Sequence, residues 1–205
     1  MLIPLNYGGA RARFADGLWL GRAVATGQSP AMTQQKDPFG IREGEVTAAL
    51  PEQADASLYF IGRIRTPWKE RKDCPKNARE SREAGVVCSI EVDPRWAAAL
   101  KGVETCTHLI VLYWMDRSRR DLAVQVPGHY GTGRGTFALR SPVRPNPIAM
   151  SVVKLLKVEG TTLSIVGVDC LDGTPLLDIK PYFASGDSIP DAEVGWHAKG
   201  SSDPA

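Results

Sequence analysis

Short apolar segments separated by polar turns follow one another along most of the chain, and this pattern predicts strands more often than helices. "GVVCSIEVD" alternates with the period of a half-buried strand, and "THLIVLYWM" is apolar on both faces, as a central strand is. "SLYFIGRIRTPW" predicts a further strand that stops at Pro67.

The second half of the chain continues this pattern. "IAMSVVKLLKVEG" and "TTLSIVGVDCLDG" are joined by "EGTT", which is typical of a hairpin turn. "TPLLDIKPYF" predicts a last strand, and "TFALRS" predicts a strand that ends near Arg140. These segments predict a series of antiparallel strands.

One segment predicts a helix. In "DPRWAAALKGV", Asp93 is a candidate N-cap, Pro94 takes the first helical position, and Gly102 is a stop signal. Many strands with one short helix favour an all-β protein, a small closed or partly closed β-barrel, over a doubly wound sheet.

The chain divides unevenly along its length. Residues 1–56 are rich in Gly, Ala and Gln with little periodicity, and we interpret them as an N-terminal extension of uncertain order. Residues 57–190 hold the predicted strands and form the barrel domain, and residues 191–205 form a C-terminal tail.

Composition narrows the functional classes only slightly. With 205 residues, 43% hydrophobic residues and 23% charged residues, the chain resembles an ordinary globular protein. The net charge of +2 neither favours nor excludes a nucleic-acid partner. Its four cysteines form no C-x-x-C pair, so we predict no metal site and a reduced, cytoplasmic setting. No apolar run is long enough to cross a bilayer, which predicts no membrane partner.

The stretch "FALRSPVRPNPIAM", residues 137–150, combines three prolines with two arginines, and we call it the proline corner. Ser141, Arg144 and Asn146 each precede a proline, which favours extended geometry and a rigid bend. Arg140 and Arg144 are donors that suit a carboxylate or a phosphate. Alternatively, the corner only caps the barrel and its arginines pair with nearby aspartates.

A second polar cluster lies in "VDCLDGTPLLDIKPY". Asp172 lies at a turn, and Asp178, Lys180 and Tyr182 share one face of a strand because their spacing is even. Such carboxylates bind hydroxyl or ammonium groups or act as bases. The alternative is an Asp–Gly turn followed by a surface strand with a Lys–Asp pair. His129, in the glycine-rich loop before "TFALRS", is a further candidate for contact with a polar substrate.

"RSPVRPNPIAMSVVKL" followed by "VDCLDGTPLLDIKPY" resembles the TrmO-type (YaeB-like) tRNA methyltransferases, and the resemblance runs from "YFIGRIRTPWKE" to about Tyr182. It implies a homodimeric β-barrel. It also implies that S-adenosylmethionine methylates the exocyclic nitrogen of threonylcarbamoyl-adenosine beside the anticodon of tRNA. Two residues depart from the family pattern: Ala149 replaces a glycine, and Asp116 stands where the family has a histidine.

The resemblance also assigns site residues. Cofactor contacts are expected at three groups of positions and at two single ones: Lys76, Asn77 and Ala78; Asp116, Arg117 and Ser118; Gly167, Val168 and Asp169; and Arg140 and Met150. We predict acid–base residues among Asp172, Asp178, Lys180 and Tyr182, and acceptor contacts at Arg144, Asn146 and His129. Two other functions stay open: a methyltransferase of the same fold with a different small acceptor, and a non-catalytic barrel that binds a nucleotide or a partner.

Overall fold

The computed structural model describes residues 40–128 and 131–197. The predicted extension up to residue 39, His129, and the tail from residue 198 lie outside the described residues. The strands are β1 (Val46–Thr47), β2 (Gly62–Arg65), β3 (Val87–Val92), β4 (His108–Trp114), β5 (Leu122–Gln125), β6 (Arg134–Gly135), β7 (Ile148–Glu159), β8 (Thr162–Val166) and β9 (Thr174–Pro181). The part of the chain that the structure describes has two short α-helices, α1 (Ala78–Ala84) and α2 (Ala184–Asp187). In the same part, 3-10 turns cover Arg71–Asp73, Pro94–Leu100, Val103–Thr105, Thr136–Ala138 and Gly195–His197.

Six strands form a closed barrel in the order β2-β3-β8-β7-β4-β9, and β1, β5 and β6 form a separate three-stranded sheet. Every strand pair within the described residues is antiparallel. The prediction of an all-β barrel is therefore confirmed. The predicted hairpin is also present, because β7 and β8 are separated only by Gly160 and Thr161, with Gly160 at a φ of +60°.

Alternation along the strands fills the barrel. In β4, Leu109, Val111 and Tyr113 face inward and are almost fully buried, whereas the residues between them are half-buried on the outer face. Each fully buried aliphatic side chain contributes about 1.5–3 kcal/mol to the free energy of unfolding. The barrel interior is therefore a packed core, and chemistry must take place at its ends or on its outer surface.

The strand register defines the two ends of the barrel. Trp114 at the end of β4 pairs with Ile148 at the start of β7, and β9 begins at Thr174 on the same side. We call this side the loop end, because it carries the proline corner and the loop of residues 167–173. Along β9 the chain runs away from the loop end, and Pro181 pairs with Leu109.

Two predicted elements differ in the structure. The predicted helix forms as a 3-10 helix, Pro94–Leu100, with Asp93 accepting from Arg95 N as its cap at 3.0 Å. The strand predicted in "TFALRS" was wrong, because Thr136–Ala138 is a 3-10 turn. The buried Thr136 hydroxyl donates to Leu122 O at 2.6 Å, and this side-chain bond replaces strand pairing.

Helix α1 was not predicted, although its signals are local. Asn77 is the N-cap and accepts from Glu80 N, and Gly85 ends the helix with a φ of +65°. These are the residue types expected at the two ends of a helix. Among the described residues, no helix is long and apolar enough to cross a membrane.

Candidate functional site

Segments distant in sequence meet at the loop end. Met115 N donates to Pro147 O at 2.9 Å, which ties the chain after β4 to the proline corner. The hydroxyl of Ser81, on α1, donates to Val168 O and so ties α1 to the loop of residues 167–173. The segments predicted to bind the cofactor therefore lie around one end of the barrel.

Gly167 opens that loop at a position that needs glycine. Its φ is +113°, and a Cβ built on it would lie 2.9 Å from Cγ of Arg82 and 3.4 Å from Val152 O. Only glycine adopts such a backbone conformation without strain. The loop can therefore pack tightly against α1 and β7.

The predicted contacts at Lys76, Asn77 and Ala78 form the entry to α1. Asn77 Oδ1 accepts from Glu80 N at 3.0 Å, and Glu80 Oε2 accepts from Lys76 N at 2.9 Å. These two bonds fix the loop before α1, and the N-cap bond engages the Asn77 side chain. The exposed Lys76 side chain projects from the fixed loop.

Asp116, Arg117 and Ser118 lie just beyond β4. Asp116 and Arg117 are exposed, and Ser118 N donates to Met115 O at 3.0 Å in a tight turn. The acidic Asp116 side chain thus lies at the mouth of the loop end, where it can face a ligand.

Arg144 holds the proline corner together from within. Its guanidinium donates to the carbonyl oxygens of Ser141 at 2.9 Å, Thr136 at 3.3 Å and Leu139. A planar guanidinium suits such divergent acceptors better than an ammonium group does. These bonds give Arg144 a structural role, whereas the neighbouring Asn146 is exposed.

Arg140 is placed differently. Its side chain is exposed, and one guanidinium nitrogen donates to Met150 O at 3.0 Å. Met150 is itself 46% exposed on the outer face of β7. A charged donor and an apolar side chain thus lie next to each other, and Arg140 keeps other donors for a ligand.

Asp169 joins the loop to the barrel wall. Its Oδ1 accepts from the hydroxyl of Tyr113 at 2.8 Å, and the Ser151 hydroxyl lies 3.4 Å from the same oxygen. The Tyr113 and Ser151 hydroxyl oxygens are 2.9 Å apart. Tyr113 and Ser151 are both buried, whereas Asp169 is half-buried.

Asp172 lies at the loop end but has its own partners. Its Oδ1 accepts from Thr66 N at 3.1 Å, and its Oδ2 forms an ion pair with Lys69. The hydrogen bond from Lys69 is the main cause that holds the pKa of Asp172 below its usual value, and the bond from Thr66 N adds to it. A carboxylate held in this way is a weak base.

The other three acid–base candidates lie on β9 and beyond it. Asp178 and Lys180 form an ion pair at 2.6 Å, which agrees with the alternative interpretation of a surface strand with a Lys–Asp pair. Asp178 pairs with Leu112, which pairs on its other side with Met150, and Tyr182 N donates to His108 O at the far end. The structure therefore does not bring these residues together with Asp172.

Sequence reasoning missed Tyr113 and Ser151. Alternation places both inside the barrel, where a hydroxyl needs a partner. That signal was present in "LIVLYW" and "IAMSVV", but it does not identify Asp169 as the partner.

Two further observations limit the chemistry. Burial raises the pKa of the Cys74 and Cys88 thiols to about 11, and the charge of Asp169 adds to the effect at Cys74. These thiols are therefore poor nucleophiles. Within residues 40–128 and 131–197, no group of three or more His, Cys, Asp or Glu side chains is arranged to hold a metal ion.

A shallow cavity of about 250 Å³ lies beside the proline corner. Its rim includes Phe137, which is 86% exposed, and Arg120, whose guanidinium lies 5.4 Å from the ring centre of Trp114. Arg120 also donates to Pro145 O at 2.6 Å. The cavity thus combines an exposed ring with the Arg120 cation, and the acidic Asp121 also lines it.

A small closed β-barrel with a loop-built site at one end is the class that these observations define. The family described as "tRNA-methyltransferase O N-terminal domain" matches residues 63–188, which is more than half of the chain. The chain therefore belongs to the TrmO family.

Relatives and solved structures agree with this assignment. The chain is 52% identical over 141 residues to the "Probable S-adenosyl-L-methionine-binding protein VirR" of Rhizobium radiobacter, covering 69% of this chain and 79% of that protein. It is 35% identical over 144 residues to the "tRNA (adenine(37)-N6)-methyltransferase" of Escherichia coli, covering 66% of this chain and 61% of that protein.

The crystal structure of TrmO from Pseudomonas aeruginosa superposes with a TM-score of 0.57 at 33% identity, covering 69% of this chain and 62% of that chain. The match thus spans less than two thirds of the Escherichia coli protein and of the crystallised chain.

Proposed function

We propose that this protein is an S-adenosylmethionine-dependent methyltransferase that acts on the N6 atom of an adenosine in tRNA. The observation that carries the proposal is the convergence, at the loop end, of the segments within residues 63–188 that match the family. The name of the Escherichia coli relative supports the tRNA acceptor.

The residues at the loop end fit S-adenosylmethionine. The cofactor carries an ammonium group, a sulfonium and ribose hydroxyls, and the half-buried carboxylate of Asp169 offers an acceptor for such groups. Arg140 supplies a donor for its carboxylate, and the exposed Met150 supplies apolar contact. We propose that these residues, with Lys76 and Asp116, hold the cofactor, which supplies an electrophilic methyl group when bound.

The chain's own contribution to catalysis is mainly positioning. Displacement at a methyl group needs the acceptor aligned about 3–3.5 Å from the reacting carbon. The rigid corner, fixed by Arg144, and the capped loop before α1 supply a preorganised frame. Little side-chain entropy is lost when ligands bind to such a frame.

The acceptor nitrogen carries a proton that must leave. Of the four proposed acid–base residues, Asp172 lies in the loop of residues 167–173, and it accepts a proton only if Lys69 releases its carboxylate. Asp178 lies level with Met150 across β4, and it is paired with Lys180. A role for Asp178, Lys180 or Tyr182 requires the acceptor to approach along the outer face of β9 or beyond.

The finer proposal is that the acceptor is threonylcarbamoyl-adenosine next to the anticodon. Phe137 and Arg120 at the cavity offer a stacking ring and a cation, a combination that binds unstacked bases. The exposed amide of Asn146 in the proline corner adds a polar contact, and we propose the same for His129.

A homodimer is the second part of the proposal. Ile148 and Met150 expose 42% and 46% of their surface on the outer face of β7, next to the half-buried Leu112 and Trp114 of β4. A second copy that packs on this face would bury these side chains next to the cofactor residues. Light scattering should then give twice the monomer mass, and a monomer that retains activity would contradict the proposal.

A different acceptor is the second candidate function. Asp116 replaces a histidine expected in the family and places a negative charge at the mouth of the site. The Rhizobium radiobacter relative, moreover, is named only as a binding protein. Phosphate-rich tRNA should approach an acidic mouth less readily than a small neutral acceptor does.

One experiment separates these functions. Purified protein is incubated with S-adenosylmethionine and either tRNA that carries threonylcarbamoyl-adenosine or the same tRNA without that modification, and nucleosides are analysed by mass spectrometry. We expect a gain of one methyl group only on the modified adenosine. Cofactor binding without methylation of either tRNA would favour the second candidate, and absence of cofactor binding would reject both.

A further inference from the structure

Tyr113 lies at a particular place in the barrel wall. It is the last inward-facing residue of β4 before the loop end, and it is 2% exposed. Its hydroxyl has one proton, which it donates to Asp169 Oδ1 at 2.8 Å. The hydroxyl oxygen then accepts from Ser151 on β7 at 2.9 Å. Two strands of the closed barrel thus hold one carboxylate oxygen of a loop residue.

Tyr113 keeps its proton across the physiological range. Burial, and after it the negative charge of Asp169, raise the pKa of Tyr113 far above its usual value. The hydroxyl therefore always donates to the carboxylate and never competes with it as an anion. Because Oδ1 accepts this bond, rotation of the Asp169 carboxylate group is restricted.

The two oxygens of Asp169 differ in their partners. In the part of the chain that the structure describes, Oδ2 has no hydrogen-bond donor, and no Lys, Arg or His side chain forms an ion pair with Asp169. Among the described residues, Oδ2 is not one of the buried side-chain atoms that lack a partner, so it is open to solvent and to a ligand. Ser151 alone could satisfy the Tyr113 hydroxyl, so core packing does not explain the charge.

We propose that Tyr113 is a positioning residue, which holds Oδ1 of Asp169 so that Oδ2 is available to a cationic or hydroxyl group of the bound cofactor. This inference rests on the proposed function, since it assumes S-adenosylmethionine at the loop end. Tyr113 does not touch the cofactor in this proposal, because it is buried behind the carboxylate. Its effect on binding passes through Asp169.

The test is a double-mutant cycle on cofactor affinity, measured by calorimetry with S-adenosylmethionine. Tyr113→Phe removes only the hydroxyl. It should weaken cofactor binding about tenfold, which is the lower end of the range expected for loss of a charge-assisted hydrogen bond. Asp169→Asn should weaken binding at least as much. In the Asp169→Asn background, Tyr113→Phe should cause no further loss, because the two residues act as one unit.

Matched controls separate positioning from general damage. Tyr59→Phe makes the same chemical change at a side chain that is 82% exposed, and it should leave affinity unchanged. Ser151→Ala removes the bond that orients the Tyr113 hydroxyl and should weaken binding about threefold, a fraction of the effect of losing the charged bond. It also provides the test if Tyr113→Phe does not fold.

Each outcome bears on one claim. Unchanged affinity in a folded Tyr113→Phe protein overturns the inference, as does unchanged affinity in Ser151→Ala if Tyr113→Phe fails to fold. Equal, additive losses from Tyr113→Phe in both backgrounds also overturn it, because Tyr113 would then act independently of Asp169. If the wild-type protein does not bind S-adenosylmethionine, the proposed function itself is wrong. Failure of the proposed function can therefore be distinguished from failure of the inference about Tyr113.

Discussion

Replacement of Asp172 should separate a structural role for this carboxylate from a catalytic one. Its Oδ1 accepts from the backbone of the buried Thr66, and its Oδ2 pairs with Lys69, whose side chain is 72% exposed. A hydrogen bond to a charged group contributes about 1.5–3 kcal/mol, whereas an exposed ion pair contributes about 0–1 kcal/mol. The bond to Thr66 N should therefore dominate.

The two substitutions at this position remove different interactions. Asp172→Asn keeps an oxygen for Thr66 N and should cost about 1 kcal/mol, from the lost charge. Asp172→Ala removes both interactions and should cost about 2–3 kcal/mol. Urea denaturation gives both free energies of unfolding, and Lys69→Met serves as the control for the ion pair alone. Equal losses in the Asn and Ala variants would refute this reasoning.

The pH dependence provides an independent check. Because the folded protein lowers the pKa of Asp172, the charged form stabilises the fold above the ordinary aspartate pKa of about 3.9. This stabilisation is lost as the pH falls through the lowered value. The stability gap between wild type and Asp172→Asn should be constant from about pH 5 to 8 and shrink below about pH 4. A gap that persists at low pH would contradict the assignment.

Three further substitutions test other parts of the structure. Gly62→Ala places a Cβ 2.2 Å from Glu91 O, and because this clash with backbone in a core strand pair cannot relax, it should lower the free energy of unfolding by more than about 3 kcal/mol in urea denaturation. The control Gly160→Ala, in open space at a positive φ, should lower it by only about 1–2 kcal/mol. Similar losses in the two variants would contradict the clash. Arg144→Lys should lower the unfolding free energy by about 1–3 kcal/mol and speed hydrogen exchange in the proline corner, whereas wild-type stability with weaker acceptor binding would favour a substrate role. Arg140→Ala should weaken cofactor binding about 10- to 100-fold by calorimetry without changing the melting temperature, and unchanged affinity would exclude it as a main contact.

Strands and turns that depend on a local residue pattern could be predicted from the sequence. The alternation in "IAMSVVKLLKVEG" and the turn signal after it correctly predicted β7 and its hairpin with β8, and even spacing predicted that Asp178 and Lys180 share a face. The strand predicted around Thr136 was wrong because a buried hydroxyl bond to β5 competes with strand pairing there. A local pattern carries no information about such a distant partner.

The contacts that shape the site are long-range, and no local pattern indicates them. Tyr113 and Asp169 are 56 positions apart, and Asp172 reaches Thr66 across 106 positions. The resemblance to a family assigned Asp169 as a cofactor contact but did not reveal the buried hydroxyl behind it. That partner follows only from the register of β4 and β7 and from the way the 167–173 loop folds over the barrel.

Closure of the barrel also constrains when the protein can fold during its synthesis. The barrel closes where β2, its first strand, pairs with β9, its last, and the bond from Arg63 to Gly173 O spans 110 positions. A ribosome must therefore produce almost the whole barrel before its final seam can form. Until then, the edges of β2 and β4 stay unpaired, and unpaired strand edges are the places where chains aggregate.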